Sequence, residues 1–271
     1  MSQKTDYNKD GYVLIKNFFD AKTMDNIVNE AKEIFKVQLL HKGYIKTKDI
    51  SEKEFNSALY KLFEDDLQQI IYCGKQLQHM FSLHRIALDE KISDKLKELG
   101  LSHPILNIRP VIFFNNPKLG KKDVDWKKPS HQDWRTTQGS LDSIVVWIPL
   151  VDTPKELGAL EILPGSHKKG LINHDLNDDY LELTNLNDND FISVEVEKGD
   201  ALFFSTLLVH RSGVNVTDDI RWSCHFRYNN INDKSFIDRG FPHTYFYGPQ
   251  KDLVTANFPT ENDAKTFFES N

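Results

Sequence analysis

The sequence predicts a mainly β protein with α: a sandwich or jelly roll of short strands, with a layer of N-terminal helices over one face. Two observations carry this. Through the first hundred residues apolar side chains recur at three- and four-residue spacing, whereas from residue 105 onward short β-prone runs alternate with Pro, Gly, Asn and Asp. Helices gathered at one end of a chain and strands at the other pack as layers on a shared core. The chain has 271 residues, no repeat of roughly 20–50 residues and no Gly/Ser/Pro linker. One domain over 1–271 is expected: a mostly helical layer over 1–104, a jelly-roll core over 105–230 and a C-terminal extension over 231–271.

Taken in order, Gly11-Tyr12-Val13-Leu14-Ile15 reads as a short strand ahead of the helices. From residue 21 to about residue 40, Met24, Ile27, Val28, Ala31, Ile34, Phe35 and Leu39 form one amphipathic stripe, with Asp20 at the N-cap position. Further helices are predicted over 52–63, 67–81 and 93–99, the last ended by Gly100. Strands are predicted over 105–114, 143–150, 159–163, 192–196, 201–204 and 221–228. The polar stretch 173–190 reads as a surface insertion, placed to act as a lid over a nearby site.

Composition limits the function classes. Lys and Arg number 34 against 40 Asp and Glu, a formal net charge of −6, and no basic block interrupts the sequence. No nucleic-acid or anionic-membrane partner is therefore expected, and a small-molecule substrate is. The longest apolar run, 144–151, falls far short of the ~20 residues of a membrane helix. The first ten residues carry no apolar signal core, and Cys73 and Cys224 stand 151 positions apart, without metal or redox spacing. A reducing cytoplasm and no disulfide scaffold are expected.

Of ten histidines, His131 in His131-Gln132-Asp133 comes first. In an extended segment residues i and i+2 share a face, which would set an imidazole beside the Asp133 carboxylate. Alone, such a pair is a weak signal. His210, 77 residues beyond Asp133, closes an apolar run before Arg211-Ser212-Gly213, where a strand end reaches across a barrel mouth. Two histidines and a carboxylate on one face of an octahedron leave three positions open, the arrangement of non-heme Fe(II) oxygenases, and the absence of thiolates argues against structural zinc. Arg221, 11 residues past His210, opens the next strand; it is either a surface residue or a guanidinium fork for a carboxylate inside the barrel.

These residues, with Asp10-Gly11-Tyr12-Val13-Leu14-Ile15, Gly158-Ala159-Leu160-Glu161, Leu163-Pro164-Gly165-Ser166-His167, Gly199-Asp200-Ala201 and His210-Arg211-Ser212-Gly213, occur in an order and spacing that resembles the phytanoyl-CoA dioxygenase family of Fe(II)- and 2-oxoglutarate-dependent oxygenases, from about residue 7 to 230. The resemblance implies a double-stranded β-helix, a cupin-like jelly roll with the metal at its open end. It implies His131, Asp133 and His210 as catalytic iron ligands, Arg221 for the distal carboxylate of 2-oxoglutarate, Ser212 on the same carboxylate and Trp147 lining the pocket, although Trp147 also reads as plain core. It implies Fe(II), 2-oxoglutarate and O2 as cofactor and co-substrates, release of succinate and CO2, and hydroxylation rather than halogenation, because related halogenases carry a small residue where Asp133 stands.

His225 and Arg227 alternate with Arg221 on its strand and so face the same way, either toward a ligand or toward each other. Arg109, Trp134, Arg135 and Arg227 are candidate substrate contacts, and His167 reads as a turn residue. The substrate expected is a small metabolite or biosynthetic intermediate. The alternative is an acyl-CoA, whose phosphates Lys118, Lys121, Lys122, Lys127 and Lys128 would meet, and a non-catalytic binding jelly roll is a further reading.

Overall fold

A computed structural model describes residues 3–120, 127–172, 175–177, 180–183 and 185–242. A short helix α1 (Gln3–Asp10) leads into strand β1 (Tyr12–Ile15), followed by helices α2 (Ala21–His41), α3 (Glu52–Asp65), α4 (Leu67–Leu77), α5 (Phe81–Ala87) and α6 (Glu90–Leu99). After β2 (Pro104–Leu106) and β3 (Val111–Asn115) come a four-residue helix α7 (Trp134–Thr137), β4 (Ile144–Pro149) and β5 (Leu160–Ile162). The hairpin β6 (Asp175–Asn177) and β7 (Tyr180–Glu182) precedes β8 (Ile192–Val194), β9 (Ala201–Ser205), β10 (His210–Arg211), β11 (Arg221–Asn230) and α8 (Lys234–Asp238).

The helices start where the sequence supplies caps. The Asp20 carboxylate accepts from Thr23 N at 2.8 Å, and Ser51 with Glu54 forms a reciprocal capping box at the start of α3. Gly100, at φ 127°, ends α6 in a conformation that a side chain would disfavour. The α2 stripe is buried as predicted at Met24, Ile27, Val28, Ala31, Phe35 and Leu39. Helix 67–81 is shorter than its apolar period suggests: the chain leaves the helix after Leu77 and starts again at Phe81 as α5. The run 105–114 is likewise two strands, parted at Asn107–Pro110, since Pro110 has no N–H to give a ladder. Helix α1 went unpredicted because Tyr7 is its only buried side chain and no stripe marks it.

Two antiparallel sheets form the core. The larger has the order β1-β9-β4-β11-β2, with β3 also paired to β11, and the smaller has the order β10-β5-β8. Strand β1, from the helical part of the chain, is thus an edge of the large sheet, paired with β9 from Tyr12↔Phe204 to Ile15↔Ala201. Alternation along the strands divides the large sheet's faces. Ile144, Val146, Ile148, Phe203, Trp222, Cys224 and Phe226 pack on the helices, whereas Val145, Trp147, Leu202 and Phe204 turn toward Leu160, Ile162 and Val194 of the small sheet. The β11 residues out of phase with Trp222, Cys224 and Phe226 are Arg221, Ser223, His225 and Arg227, so the inner face of this strand is polar. Cys73 and Cys224 are free and buried. Among the described residues no helix is long and apolar enough to cross a membrane.

Candidate metal centre and carboxylate pocket

His131 and His210 are brought together by the backbone. A single antiparallel bridge joins them, His131 N donating to His210 O at 3.0 Å and His210 N to His131 O at 3.1 Å, and the ring centroids stand 4.2 Å apart. His210 does not close the strand before it. Strand β9 ends at Ser205, the chain turns, and His210 opens β10 in the other sheet, beside Ile162 of β5.

The rings are fixed in the same way. His131 Nδ1 lies 2.7 Å from Pro129 O, and His210 Nδ1 lies 3.0 Å from Leu208 O. A carbonyl only accepts, so each Nδ1 carries the proton and each Nε2 presents its lone pair. Burial, with His131 nearby, pushes the pKa of His210 down to about 3, and the imidazole is neutral at neutral pH.

Asp133 joins them by a route other than the predicted extended segment. At φ −62° and ψ −30° it occupies the N-cap of α7, where the chain has already turned helical. Its carboxylate makes no capping bond. It turns instead toward His131 Nε2, 3.7 Å from Oδ1, and toward Arg227, whose Nη2 and Nε donate to Oδ1 and Oδ2 at 3.0 Å each. Burial would raise this carboxyl, but Arg227 and the neighbouring His210 and His131 outweigh it and hold it well below the usual range. Ligand atoms of His131, Asp133 and His210 all fall within 4.8 Å of one another, the one such three-residue group among the described residues. The bond to Asp133 takes up the fork of Arg227, which the sequence offered as a substrate contact.

A second feature lies along β11. Arg221 is 4% exposed, and its Nη1 donates to Gly158 O, while its Nε is buried without a hydrogen-bond acceptor. Burial lowers its pKa to about 10, which leaves it a cation at neutral pH. Trp147, paired with His225 across β4 and β11, has an indole N–H that is also buried without an acceptor. Burial of both donors leaves hydrogen-bonding capacity unfilled at this point of the barrel. Between the arginines, His225 Nε2 is 3.1 Å from Ser223 Oγ and its ring meets Phe113 edge-on at 4.5 Å. Burial, with Arg227 nearby, holds the His225 pKa well below the usual imidazole value.

The remaining sequence candidates separate. Ser212 is buried, and its hydroxyl accepts from Lys128 N at 3.2 Å, which ties the His131 segment to the His210 segment. Trp134 donates its indole N–H to Ser140 O at 3.2 Å beneath the Arg239 guanidinium, Arg135 is half-buried, and Arg109 is exposed. His167 lies in the 3-10 turn Ser166–Lys169 after Gly165, as its motif suggested. Lys118 pairs with Asp218 at 2.7 Å, whereas Lys121 and Lys122 lie outside the described residues, as do His174 and His243. So do positions 173, 174, 178, 179 and 184 of the predicted insertion.

Gln132 is a residue that motif spacing does not single out. It is 1% exposed; its amide donates to Gly170 O at 2.8 Å and Leu207 O at 2.6 Å and accepts from Ile172 N at 2.8 Å. It pins the two histidine-bearing segments from behind, and a buried amide between two polar residues leaves no periodic trace in a sequence.

The comparisons agree with this geometry. The chain is similar to the peroxisomal phytanoyl-CoA dioxygenase of Homo sapiens, 26% identical over 245 residues, covering 83% of this chain and 68% of that one. Among solved structures it is similar to the epimerase SnoN crystallised with Fe3+, alpha ketoglutarate and nogalamycin RO, at TM-score 0.59 and 19% identity over 96% of this chain and 95% of the other. It is also similar to EctD from S. alaskensis with 2-oxoglutarate and 5-hydroxyectoine, at TM-score 0.53 and 16% identity over 86% and 77% of the two chains. These likenesses establish the shared jelly-roll fold. The family model for phytanoyl-CoA dioxygenase matches residues 7–223. On that match the chain belongs to the phytanoyl-CoA dioxygenase family, and so to the 2-oxoglutarate-dependent non-heme iron oxygenases.

Proposed function

We propose that this protein is an Fe(II)- and 2-oxoglutarate-dependent dioxygenase that hydroxylates an unactivated C–H bond of a small metabolite or biosynthetic intermediate, acting as a single domain in the cytoplasm. The observation that carries the reading is the convergence of two imidazoles, each with Nδ1 turned to a backbone carbonyl, and one carboxylate within 4.8 Å. That donor set, nitrogen and oxygen without sulfur, suits Fe(II).

His131, Asp133 and His210 would hold the iron. Arg221 would hold the far carboxylate of 2-oxoglutarate through its guanidinium, with Trp147 N–H and Ser212 beside it. The orphaned Nε of Arg221 and Nε1 of Trp147 support this assignment, because each is a buried donor in want of an anionic or carbonyl acceptor. When bound, iron and 2-oxoglutarate supply O2 activation, with 2-oxoglutarate leaving as succinate and CO2 while a hydroxyl enters the substrate. The protein contributes orientation and charge: Gly158 O anchors Arg221, the carbonyls of Pro129 and Leu208 keep both Nε2 atoms available, and the buried Phe204 ring backs His210 at 4.8 Å.

The names of the curated relatives favour a second reading, an acyl-CoA hydroxylase. Both readings are tested by incubating the Fe(II)-loaded protein with 2-oxoglutarate under air, with and without panels of small metabolites and acyl-CoA esters. Succinate release is expected, abolished in His210→Ala, with a product 16 mass units heavier than the substrate that is turned over. No succinate from iron-loaded wild-type protein under any of these conditions would overturn the assignment.

A further inference from the structure

The carboxylate of Asp133 stands where helix caps are made and does not cap. An Asp at an N-cap normally turns its oxygens onto the N–H groups of the following turn, as Asp20 and Asp233 do in this chain. Asp133 makes no such bond, and its oxygens accept instead two hydrogen bonds from one side chain, Arg227. The pair is buried, with side chains 12% and 5% exposed, and it spans 94 positions of sequence. Arg221 and Arg227 share the inner face of β11 but stand six residues apart, roughly 20 Å at the rise of a strand. Both face His225, which stands between them, and their partners differ: Arg221 anchors on Gly158, whereas Arg227 grips Asp133.

We infer that Arg227 is the positioning residue of the metal centre: its planar fork fixes the plane of the Asp133 carboxylate so that Oδ1 faces the two histidine nitrogens. The inference rests on the proposed iron site and adds a duty that the four matched family residues do not include. A fork with two parallel N–H bonds sets both the direction and the rotation of a carboxylate, which a lysine's point charge does not. Without it the buried carboxylate loses the two hydrogen bonds that set its direction and rotation, because the α7 N–H groups are already taken by backbone carbonyls.

The test compares wild type, Arg227→Lys and Arg227→Gln for binding of Co(II), a spectroscopically visible stand-in for Fe(II), by anaerobic calorimetry and by the Co(II) absorption bands. Circular dichroism and thermal melting of the metal-free proteins report the fold. Co(II) affinity is expected to fall roughly 10- to 100-fold in Arg227→Gln and about tenfold in Arg227→Lys, with altered band shapes in both, as for loss of a partner that orients a ligand. A merely structural role would lower the melting temperature and leave affinity and bands unchanged. Arg227→Lys binding within twofold of wild type would overturn the inference, because charge alone would then suffice. Failure of the wild type to bind Co(II) would overturn the iron site itself, a result distinct from equal binding by all three proteins.

Discussion

His131 and His210 are opposite partners in one backbone bridge, with mutual N–H···O bonds of 3.0 and 3.1 Å, although 79 positions separate them in sequence. The main chain, rather than the side chains, therefore sets the distance between the two imidazoles. His131→Ala and His210→Ala should each fold with a native-like circular dichroism spectrum yet lose stoichiometric Co(II) binding and fall to background turnover. Metal titration by calorimetry checks this, and retention of full Co(II) affinity in either variant would show that the cluster is not the metal centre.

Arg221 hangs from Gly158 O, and Gly158 holds a backbone conformation suited to glycine, φ 81°, with an added Cβ falling 2.9 Å from Gly213 O. Arg221→Gln should weaken 2-oxoglutarate binding by about 1.5–3 kcal/mol, a loss of roughly 10- to 100-fold, because it removes a charged donor from a buried carboxylate. Gly158→Ala should cost ~1–2 kcal/mol of stability from backbone strain and weaken the same ligand by moving the arginine's anchor. Isothermal titration of the metal-loaded proteins with 2-oxoglutarate measures both. Unchanged affinity in Arg221→Gln would place the co-substrate elsewhere.

His225 gives the metal-free protein a pH signature. It faces Arg221 and Arg227, whose charges oppose its protonation, and Asp133, which favours it, with His210 adding a further opposing contribution; burial is the largest influence and keeps it neutral. Because the folded pKa lies below the unfolded value of roughly 6.5, the unfolded chain takes up a proton first as the pH falls. Stability from this group is complete above the unfolded value and declines as the pH drops beneath it, by at most ~1.4 kcal/mol per pH unit. His225→Gln keeps a polar group near Ser223 Oγ but cannot titrate. Denaturant melts between pH 7 and pH 5 should show a shallower decline for the variant, and an identical slope would mean that His225 is not held neutral in the folded state.

The elements most legible in the sequence were those marked by periodicity or by caps. Helix α2 announces itself by the stripe from Met24 to Leu39 and by Asp20, and β4 by the uninterrupted apolar run whose alternate residues pack against helices on one face and the small sheet on the other. The metal-site residues were legible through order and spacing, and ligand atoms of His131, Asp133 and His210 lie within 4.8 Å of one another. The route to that convergence was not legible. Asp133 arrives by a helical turn instead of an extended strand, and its grip by Arg227 joins residues 94 positions apart, a pairing that a single sequence records nowhere. Gln132 escaped notice for the same reason: its three partners lie in segments beginning 38 to 75 positions away. Between α4 and α5 the chain tightens into i→i−3 bonds at Gln78, His79 and Met80, against an apolar period that runs straight through the break.

The most direct test of the account is an anaerobic titration of the Fe(II)-loaded protein with 2-oxoglutarate, following the visible spectrum. The account predicts a weak metal-to-ligand charge-transfer band that grows to one equivalent, is absent in Asp133→Ala, and requires higher co-substrate concentrations in Arg221→Gln. A correctly metallated wild-type protein that develops no band would contradict it, and the jelly roll would then have to be read as a binding protein without this chemistry.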